Sequence, residues 1–399
     1  MQGTLDIPVV HLLQCTTIQC DKKPLAEQVL GVYFDEVAAS RGALPRPDLT
    51  NVRLRRYVVT SGTPAVRVLR GEIVEAEHEI IVAVIDGDGR LTHAVGDPDR
   101  VFMTRSSVKP FQVLPVITSG ALDAFGFAAH QLAVMCASHN GTDEHRQVVA
   151  SNLERIGLSA EQLQCGTHRP MFMEIEGTYP TAGEDRDPVR HNCSGKHSGF
   201  LALAKHIGEP VERYLDPGSE VQQRVKQAVA LMCEYPEERI EIGIDGCSAP
   251  VFSMSVRHLA IGFKNLAMRR GGAAGDPAVA KALERGWAAM TGYPHLVAGT
   301  GRFDYDLMRS MPGRVVSKLG AESIRGLAFN DPPLGICVKV RDGGMRALGP
   351  VCVHVLRQLG LIEDFANYPH LQRYVEPAVR NARNIVTGRI VVDFNLDRL

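Results

Sequence analysis

The sequence has few aromatic residues and almost no net charge. Only 6% of its 399 residues are aromatic, one of them a tryptophan, and the formal net charge is −1 at pH 7. A protein that neutralises many phosphates needs a basic face or a basic run of residues, and the sequence has no such run. We therefore expect no nucleic-acid partner.

Long apolar runs and a leader are lacking as well. No stretch of about 18 consecutive apolar residues occurs, which is roughly the length that a membrane-spanning helix requires. The first residues do not combine a basic stretch with a small-residue cleavage site. We therefore expect neither a membrane span nor a signal peptide.

The cysteines do not form a disulfide pattern. There are nine of them, an odd number, scattered along a long chain. Extracellular disulfide frameworks use an even number of cysteines in short chains, whereas free thiols suit a reducing compartment. The pattern predicts a cytoplasmic protein.

The chain divides into an extension and one catalytic domain. Residues 1–65 include a stretch rich in proline and arginine, and we interpret them as an N-terminal extension or arm; residues 66–399 form the catalytic domain. Strands are expected at 78–86, 90–95, 240–245 and 389–394, and helices at 106–118, 142–156, 194–207, 219–233 and 277–290. A hairpin is expected at 335–348, followed by a helix at 350–359. These elements predict an α+β fold in which helices flank a mostly antiparallel sheet.

Three short motifs carry the chemistry. Ser106 and Lys109 form Ser-x-x-Lys, Ser138 and Asn140 form Ser-x-Asn, and Lys318 opens Lys-x-Gly. In this order the motifs are typical of hydrolases whose serine is activated by a lysine. Ser-x-x-Lys alone occurs by chance on solvated helix faces, so the prediction depends on all three motifs together.

The spacing explains how the serines and lysines could react. Residues three apart on a helix share a face, so Ser106 and Lys109 can meet. Burial or a second cation lowers the pKa of a lysine and makes it a base, and a helix N-terminus favours a developing oxyanion. Lys318 follows a strand-like run and is expected to face the same cleft. The sequence thus offers two pairs, Ser106 with Lys109 and Ser138 with Lys318.

A second cluster could hold a metal ion. Cys193 and Cys247 each lie in a turn rich in glycine and serine. Two thiolates and one nitrogen suit zinc, and the nitrogen could come from Lys196, His191 or His197. Two buried structural cysteines are the alternative, since free cysteine is commonly a core residue.

Taken together, these stretches resemble the asparaginase II family, the rhizobial-type L-asparaginases, over about residues 66–399. The resemblance rests on Arg-Ser-Ser-Val-Lys-Pro-Phe-Gln at 105–112, Cys-Ala-Ser-His at 136–139, His-Asn-Cys-Ser-Gly-Lys-His at 191–197, Ile-Asp-Gly-Cys at 244–247 and Lys-Leu-Gly-Ala-Glu at 318–322. Ser323 departs from the pattern, because a glycine is expected there. No counterpart is identified for the first 65 residues.

The resemblance implies hydrolysis of L-asparagine to L-aspartate and ammonia, a serine β-lactamase-like and glutaminase-like fold, and a homodimer. It implies that Cys193, Lys196 and Cys247 bind zinc together with water. Because the serines already supply a nucleophile, we expect the metal to orient the substrate more than to generate hydroxide. We expect further substrate contacts from Arg105, His139, Asn140, Lys196 and Asp245.

The expected mechanism is an acyl-enzyme in which Ser138 is the nucleophile, Lys318 lies close by, and Ser106 with Lys109 handles protons. The reverse assignment of the two serines stays open. Two other functions remain as alternatives: another serine–lysine amidase, such as a glutaminase or a β-lactamase-like hydrolase, and a catalytically silent protein that binds an amino acid or zinc. A preference for asparagine over glutamine does not follow from the sequence, because one methylene changes binding by only about 1–3 kcal/mol.

Overall fold

The computed structural model describes residues 65–399, except for Ala182, Glu184, Asp185, Ala273 and Ala274. The N-terminal extension predicted at residues 1–65 lies outside the described residues, apart from Ala65, and it stays a prediction.

The strands of the described chain are short and spread from its beginning to its end. They are β1 (Val66–Arg70), β2 (Ile73–His78), β3 (Ile80–Asp86), β4 (Leu91–Val95), β5 (Val101–Met103), β6 (Ile242–Ile244), β7 (Pro250–Ser255), β8 (Val315–Gly320), β9 (Ile324–Asn330), β10 (Pro333–Val340), β11 (Ala378–Arg380), β12 (Val386–Val392) and β13 (Asp397–Arg398).

Most of the α-helices lie between β5 and β8. They are α1 (Lys109–Gln112), α2 (Leu114–Thr118), α3 (Ala121–Ala124), α4 (Ala129–Met135), α5 (Asp143–Arg155), α6 (Met171–Glu176), α7 (Ser194–Ile207), α8 (Glu220–Cys233), α9 (Val256–Met268), α10 (Pro277–Gly292), α11 (Pro294–Val297), α12 (Phe303–Ser310) and α13 (Met345–Gln358).

The central sheet has six strands in the order β13-β4-β3-β10-β9-β8, and each neighbouring pair is antiparallel. A four-stranded sheet has the order β11-β12-β1-β2, and a three-stranded sheet has the order β5-β7-β6. Antiparallel sheets combined with many helices make an α+β fold, as the sequence predicts.

The core lies on both sides of the central sheet. Helix α9 packs against β10, β9 and β3, and α13 packs against β10 and β12. The sequence of β3 is apolar from Ile80 to Ile85, and all six of these residues are buried, as expected for a strand covered on both faces. Phe111 and Phe263 meet edge to face at 5.3 Å and join α1 to α9.

Several helix boundaries follow from local chemistry. Ser219 accepts a hydrogen bond from the backbone N–H of Gln222, and Asp276 caps α10 in the same way, with Pro277 in its first turn. Gly208 ends α7 in the left-handed conformation, φ 75°. The helices predicted at 194–207, 219–233 and 277–290 are therefore confirmed to within two residues.

The single helix predicted at 106–118 is wrong. The chain there forms a 3-10 turn, Arg105–Val108, and the two short helices α1 and α2. Pro110 fits the first turn of α1, but Pro115 has no backbone N–H, so a new helix has to begin beside it.

The hairpin predicted at 335–348 is also wrong. Its first strand is β10, but after Asp342 the chain enters α13, which begins at Met345 and runs through Pro350. Leu348, Val351 and Val355 are buried at helical spacing, which stabilises a helix more than a return strand.

None of the helices in the described part of the chain combines the length and the hydropathy that crossing a membrane requires.

The tight packing of α9 on β10 gives a stability prediction. A Cβ added at Gly335 would lie 2.0 Å from the carbonyl oxygen of Ala260 and 2.3 Å from the backbone nitrogen of Lys264. Backbone atoms cannot rotate away, so we expect Gly335→Ala to lower the free energy of unfolding by about 3 kcal/mol, measured by urea denaturation. In the control Gly286→Ala, the new Cβ meets no atom within 4 Å, and stability should stay unchanged or rise slightly. Equal stability of the two variants would contradict the packing described here.

Candidate active site

Ser106 sits at the start of the turn that follows β5. The preceding residue, Arg105, has a left-handed backbone with φ 50°, which is uncommon for a residue with a side chain. Thr104 holds this turn in place, because its backbone N–H and its hydroxyl both donate to the carbonyl of Phe252, at 2.9 and 3.0 Å. The Ser107 hydroxyl in turn donates to the carbonyl of Thr104 at 2.6 Å. The turn therefore presents Ser106 in a fixed and partly exposed position.

The hydroxyl of Ser138 lies between two lysine amines. Its Oγ is 3.1 Å from Nζ of Lys109 and 2.9 Å from Nζ of Lys318. The residue follows α4 and is only 5% exposed. Its backbone N–H donates to the carbonyl of Val297 at 3.0 Å, so that N–H is already used.

Lys109 is buried and is directed towards Ser138. Its Nζ donates to the carbonyl of Ala137 at 2.6 Å and lies 3.1 Å from Sγ of Cys193. Among the described residues, no hydrogen bond joins it to Ser106. The structure thus gathers both lysines around one serine, whereas the sequence predicts two separate pairs.

Lys318 lies on β8, the strand at the edge of the central sheet, and its side chain is fully buried. Burial, and then the positive charge of Lys109, lower the pKa of Lys318 to about 7. A substantial fraction of this amine is therefore neutral near pH 7 and can accept a proton.

Asp304 fixes the strand on both sides of Lys318. Its carboxylate accepts hydrogen bonds from the Ser317 hydroxyl at 2.5 Å and from the Leu319 backbone N–H at 2.8 Å. Burial opposes ionisation, but Arg325, 3.0 Å away, keeps the pKa of Asp304 below its ordinary value. This residue was missed at the sequence level, because a single aspartate near the start of a helix gives no signal of its own.

The two predicted cysteines meet beside the lysines. A hydrogen bond between their thiols lowers the pKa of Cys193 well below its ordinary value and raises that of Cys247. Lys196 Nζ lies 3.1 Å from Sγ of Cys247, and His191 accepts a hydrogen bond from the Cys193 backbone N–H at 3.0 Å. The Nδ1 atom of His197 is hydrogen-bonded to the Tyr214 hydroxyl at 2.7 Å, so this nitrogen is not available as a metal ligand.

This donor set fits zinc in composition. Two sulfurs and an amine converge, and water would complete a tetrahedral site. No group of three or more His, Cys, Asp or Glu side chains positioned for a metal occurs in the described part of the chain. The nitrogen ligand would be Lys196 in its neutral form. Burial opposes its charge, but Cys247 and Cys193 raise the pKa of this amine overall, so a bound metal would have to displace its proton.

The other residues predicted to contact the substrate lie in several different environments. Arg105 pairs with Asp245 at 2.8 Å. His139 is fully buried, with Nε2 3.0 Å from the Ser194 hydroxyl and Nδ1 accepting the Gly141 N–H. Asn140 lies behind Arg302, and its amide accepts a hydrogen bond from that guanidinium at 3.3 Å. None of these four predicted residues lines the cleft that contains the serines, and neither does Lys196.

That cleft has a volume of about 350 Å³. Its polar lining consists of Ser106, Ser138, Glu174, Asn192, Arg302 and Glu322. Arg302 was not singled out from the sequence, although the two glycines just before it, Gly299 and Gly301, mark a tight loop entering α12. A cleft lined by two serine hydroxyls, one of them hydrogen-bonded to a buried amine that can accept a proton, can support acyl transfer by a serine nucleophile.

Comparisons with known proteins agree with this chemistry. A family model described as L-asparaginase II matches residues 66–392. No curated protein matches the chain.

Solved structures show a weak likeness. The structure of Mglu is 16% identical, with 71% of this chain and 67% of that chain covered, at a TM-score of 0.39. A β-lactamase from Mycobacterium bovis is 13% identical, with 70% and 94% covered, at 0.36. A class C β-lactamase from Rhodobacter sphaeroides is 13% identical, with 69% and 94% covered, at 0.34.

The environment of Lys318 gives a prediction that does not depend on activity. With lysines labelled at Cε, we expect one resonance to titrate with a midpoint near 7 by NMR and to disappear in Lys318→Arg. In Lys109→Met the midpoint should rise, because the nearby cation is lost while burial remains. The exposed Lys281→Met variant is the control and should leave it unchanged. The assignment is wrong if every lysine titrates in its ordinary range.

Proposed function

Because the chain belongs to the L-asparaginase II family, we propose that it hydrolyses L-asparagine to L-aspartate and ammonia through a serine acyl-enzyme. The observation that carries the proposal is the Ser138 hydroxyl, held at 3.1 and 2.9 Å from two buried amines and opening onto the cleft that Ser106 also lines. Family membership favours asparagine as the substrate, whereas the arrangement of the serines and lysines by itself suits the hydrolysis of any small amide.

Within this proposal we assign the nucleophile to Ser106, the reverse of the assignment favoured from the sequence. An oxyanion needs backbone N–H groups that are not already bonded. The Ser138 N–H is used by Val297, whereas the N–H groups of Ser106 and Ala321 have no partner among the described residues, and both residues line the cleft. Ser106 also begins a turn of helix, where the positive end of the peptide dipoles favours developing negative charge.

Ser138 and neutral Lys318 then form the proton path, and Lys109 remains an ammonium that donates to the Ser138 oxygen. When the Ser106 oxygen attacks the amide carbon, its proton passes by way of the Ser138 hydroxyl to neutral Lys318. The same path returns a proton to the amide nitrogen, which leaves as ammonia and leaves an aspartyl ester on Ser106. Water then attacks the ester, gives its proton to the same groups, and releases L-aspartate.

The assignment of the serines can be tested by removing each hydroxyl. We expect Ser106→Ala to lower kcat by on the order of 10⁴–10⁶, as loss of a nucleophile does, and to abolish the aspartyl adduct seen by rapid-quench mass spectrometry. Ser138→Ala should lower kcat by roughly 10²–10⁴, as loss of a proton-transfer group does, and should keep an adduct that maps to Ser106.

The controls for this experiment separate the alternatives. Ser310→Ala, away from the cleft lining, should behave as the wild type. An adduct on Ser138 would restore the assignment favoured from the sequence. Near-wild-type ammonia release in both variants would remove the serine mechanism, and binding of asparagine without turnover by the wild type would favour a silent binding protein.

We also propose that Cys193, Lys196 and Cys247 hold one zinc ion. Bound zinc would polarise and orient polar groups of the substrate near the lysines. The convergence of the two thiols with the Lys196 amine supports this proposal. A homodimer and a cytoplasmic location are further proposals that rest on the family resemblance and the free cysteines.

Metal analysis tests the zinc site. We expect about one zinc per chain in the protein purified without chelator, and loss of that zinc in Cys247→Ala, because one of two sulfur ligands is gone. Cys233→Ala removes a buried core cysteine away from this cluster and should keep the metal. Equal zinc content in both variants would show that the metal, if bound, sits elsewhere.

A further inference from the structure

Arg302 is a cation in the cleft that makes no ion pair among the described residues. The carboxylates of Asp304 and Glu174 act on its charge from beyond ion-pair distance. Its Nη1 donates to the Asn140 side-chain oxygen and to the sulfur of Met171, each at 3.3 Å, and both contacts are to uncharged groups. A partly buried charge is costly to keep unpaired, so an anion is expected to bind there.

Two other arginines near the site do have acidic partners. Arg325 pairs with Asp304 at 3.0 Å, and Arg105 pairs with Asp245 at 2.8 Å. Arg302 differs from these two, because its side-chain hydrogen bonds are to uncharged groups.

The loop around Arg302 fixes the direction of its guanidinium. Asn140 donates its amide N–H to the carbonyl of Thr300 at 3.0 Å, which turns its oxygen towards Arg302. Gly299 makes this approach possible, because a Cβ there would lie 2.4 Å from the Asn140 amide nitrogen. Gly301 is required for a similar reason, since its Cβ would lie 2.8 Å from Ile175 on α6. Both glycines also have positive φ, 116° and 83°.

Arg302 also lies close to the reacting groups. It lines the same cleft as Ser106 and Ser138, and its charge is one of the influences that lower the pKa of Lys318. An anion bound to its free N–H groups would therefore sit beside the serines. A guanidinium presents parallel N–H donors that match a carboxylate, which makes a carboxylate a better fit than a single-point anion.

We propose that Arg302 binds the α-carboxylate of the substrate and thereby restricts the enzyme to free amino acids with a side-chain amide. This inference rests on the proposed amidohydrolase function and deepens it. Asparagine inside a peptide chain has no free α-carboxylate, so it would leave Arg302 unpaired and would be a poor substrate.

Three small amides test the proposal. L-asparagine has both α groups, succinamate keeps the carboxylate and lacks the amine, and 3-aminopropanamide keeps the amine and lacks the carboxylate. We expect Arg302→Met to lower kcat/KM by roughly 10²–10³ for the two carboxylates, mainly through KM, because truncating one partner of a charged pair is costly. For 3-aminopropanamide the change should be less than about threefold, since that substrate never uses the guanidinium. A similar loss for all three amides would show that Arg302 only shapes the cleft.

Two further variants support the comparison. Arg302→Lys keeps the charge without the parallel donors and should fall between wild type and Arg302→Met, about tenfold below wild type for L-asparagine. Arg314→Met removes an exposed arginine outside the cleft and should act as wild type. If Arg302→Met does not fold, Arg302→Lys carries the same test through its ratio between succinamate and 3-aminopropanamide.

A binding measurement separates this inference from the proposed function. L-aspartate and succinate should raise the melting temperature of the wild type and should not raise that of Arg302→Met. If the wild type releases no ammonia from any amide, the proposed function is wrong. The carboxylate site is then still tested by the difference in melting-temperature shift between the wild type and Arg302→Met. An equal shift in wild type and Arg302→Met overturns the inference whatever the activity.

Discussion

The candidate site depends on two buried amines that share one hydroxyl. Because Lys109 and Lys318 lie 3.1 and 2.9 Å from the same oxygen, their nitrogens are at most about 6 Å apart. Two unit charges at that separation repel by about 3 kcal/mol at an effective dielectric constant of 20. The protein therefore favours a state in which one of the two lysines is an ammonium and the other is a neutral amine. The close approach of the two side chains is thus enough to supply a group that can accept a proton at neutral pH. The Ser138 hydroxyl can accept from one nitrogen while donating to the other, so it forms a continuous hydrogen-bonded path between them.

Several separate elements of the fold hold the two amines close together. Lys109 is the first residue of α1, just after the turn that follows β5; Ser138 follows α4, and Lys318 lies on the edge strand β8. Gly320 lets β8 approach that turn, because a Cβ there would lie 2.8 Å from the Thr104 carbonyl. Asp304 holds the backbone on both sides of Lys318, and its charge is kept by Arg325. A strand at a sheet edge, pinned from two sides, can therefore carry a buried cation that an isolated strand could not.

The sequence predicts the parts of this site better than their arrangement. Motif order identifies the serines, the lysines and the two cysteines, because each motif is a local pattern. Caps and terminal glycines likewise predict α7, α8 and α10. The helix at 106–118 fails because Pro115 restarts it, and the hairpin at 335–348 fails because Asp342 and two glycines can open a helix as well as a strand. The direction of the Lys109 side chain, and the roles of Asp304 and Arg302, depend on contacts between distant segments that no local pattern contains.

The charge balance of the cleft links substrate recognition to the chemistry. Lys109, Lys318 and Arg302 place up to three positive charges beside the cleft, whose lining also carries the carboxylates of Glu174 and Glu322. Burial lowers the pKa of Lys318 to about 7. Part of the depressed pKa comes from Arg302, so a carboxylate bound there offsets that part and makes the amine a stronger base once the substrate is present. An uncharged amide bound in the same cleft leaves the amine weaker. A substrate carboxylate at Arg302 thus acts in two ways: it strengthens binding, and it makes Lys318 a stronger base for proton transfer. No separate conformational step is required.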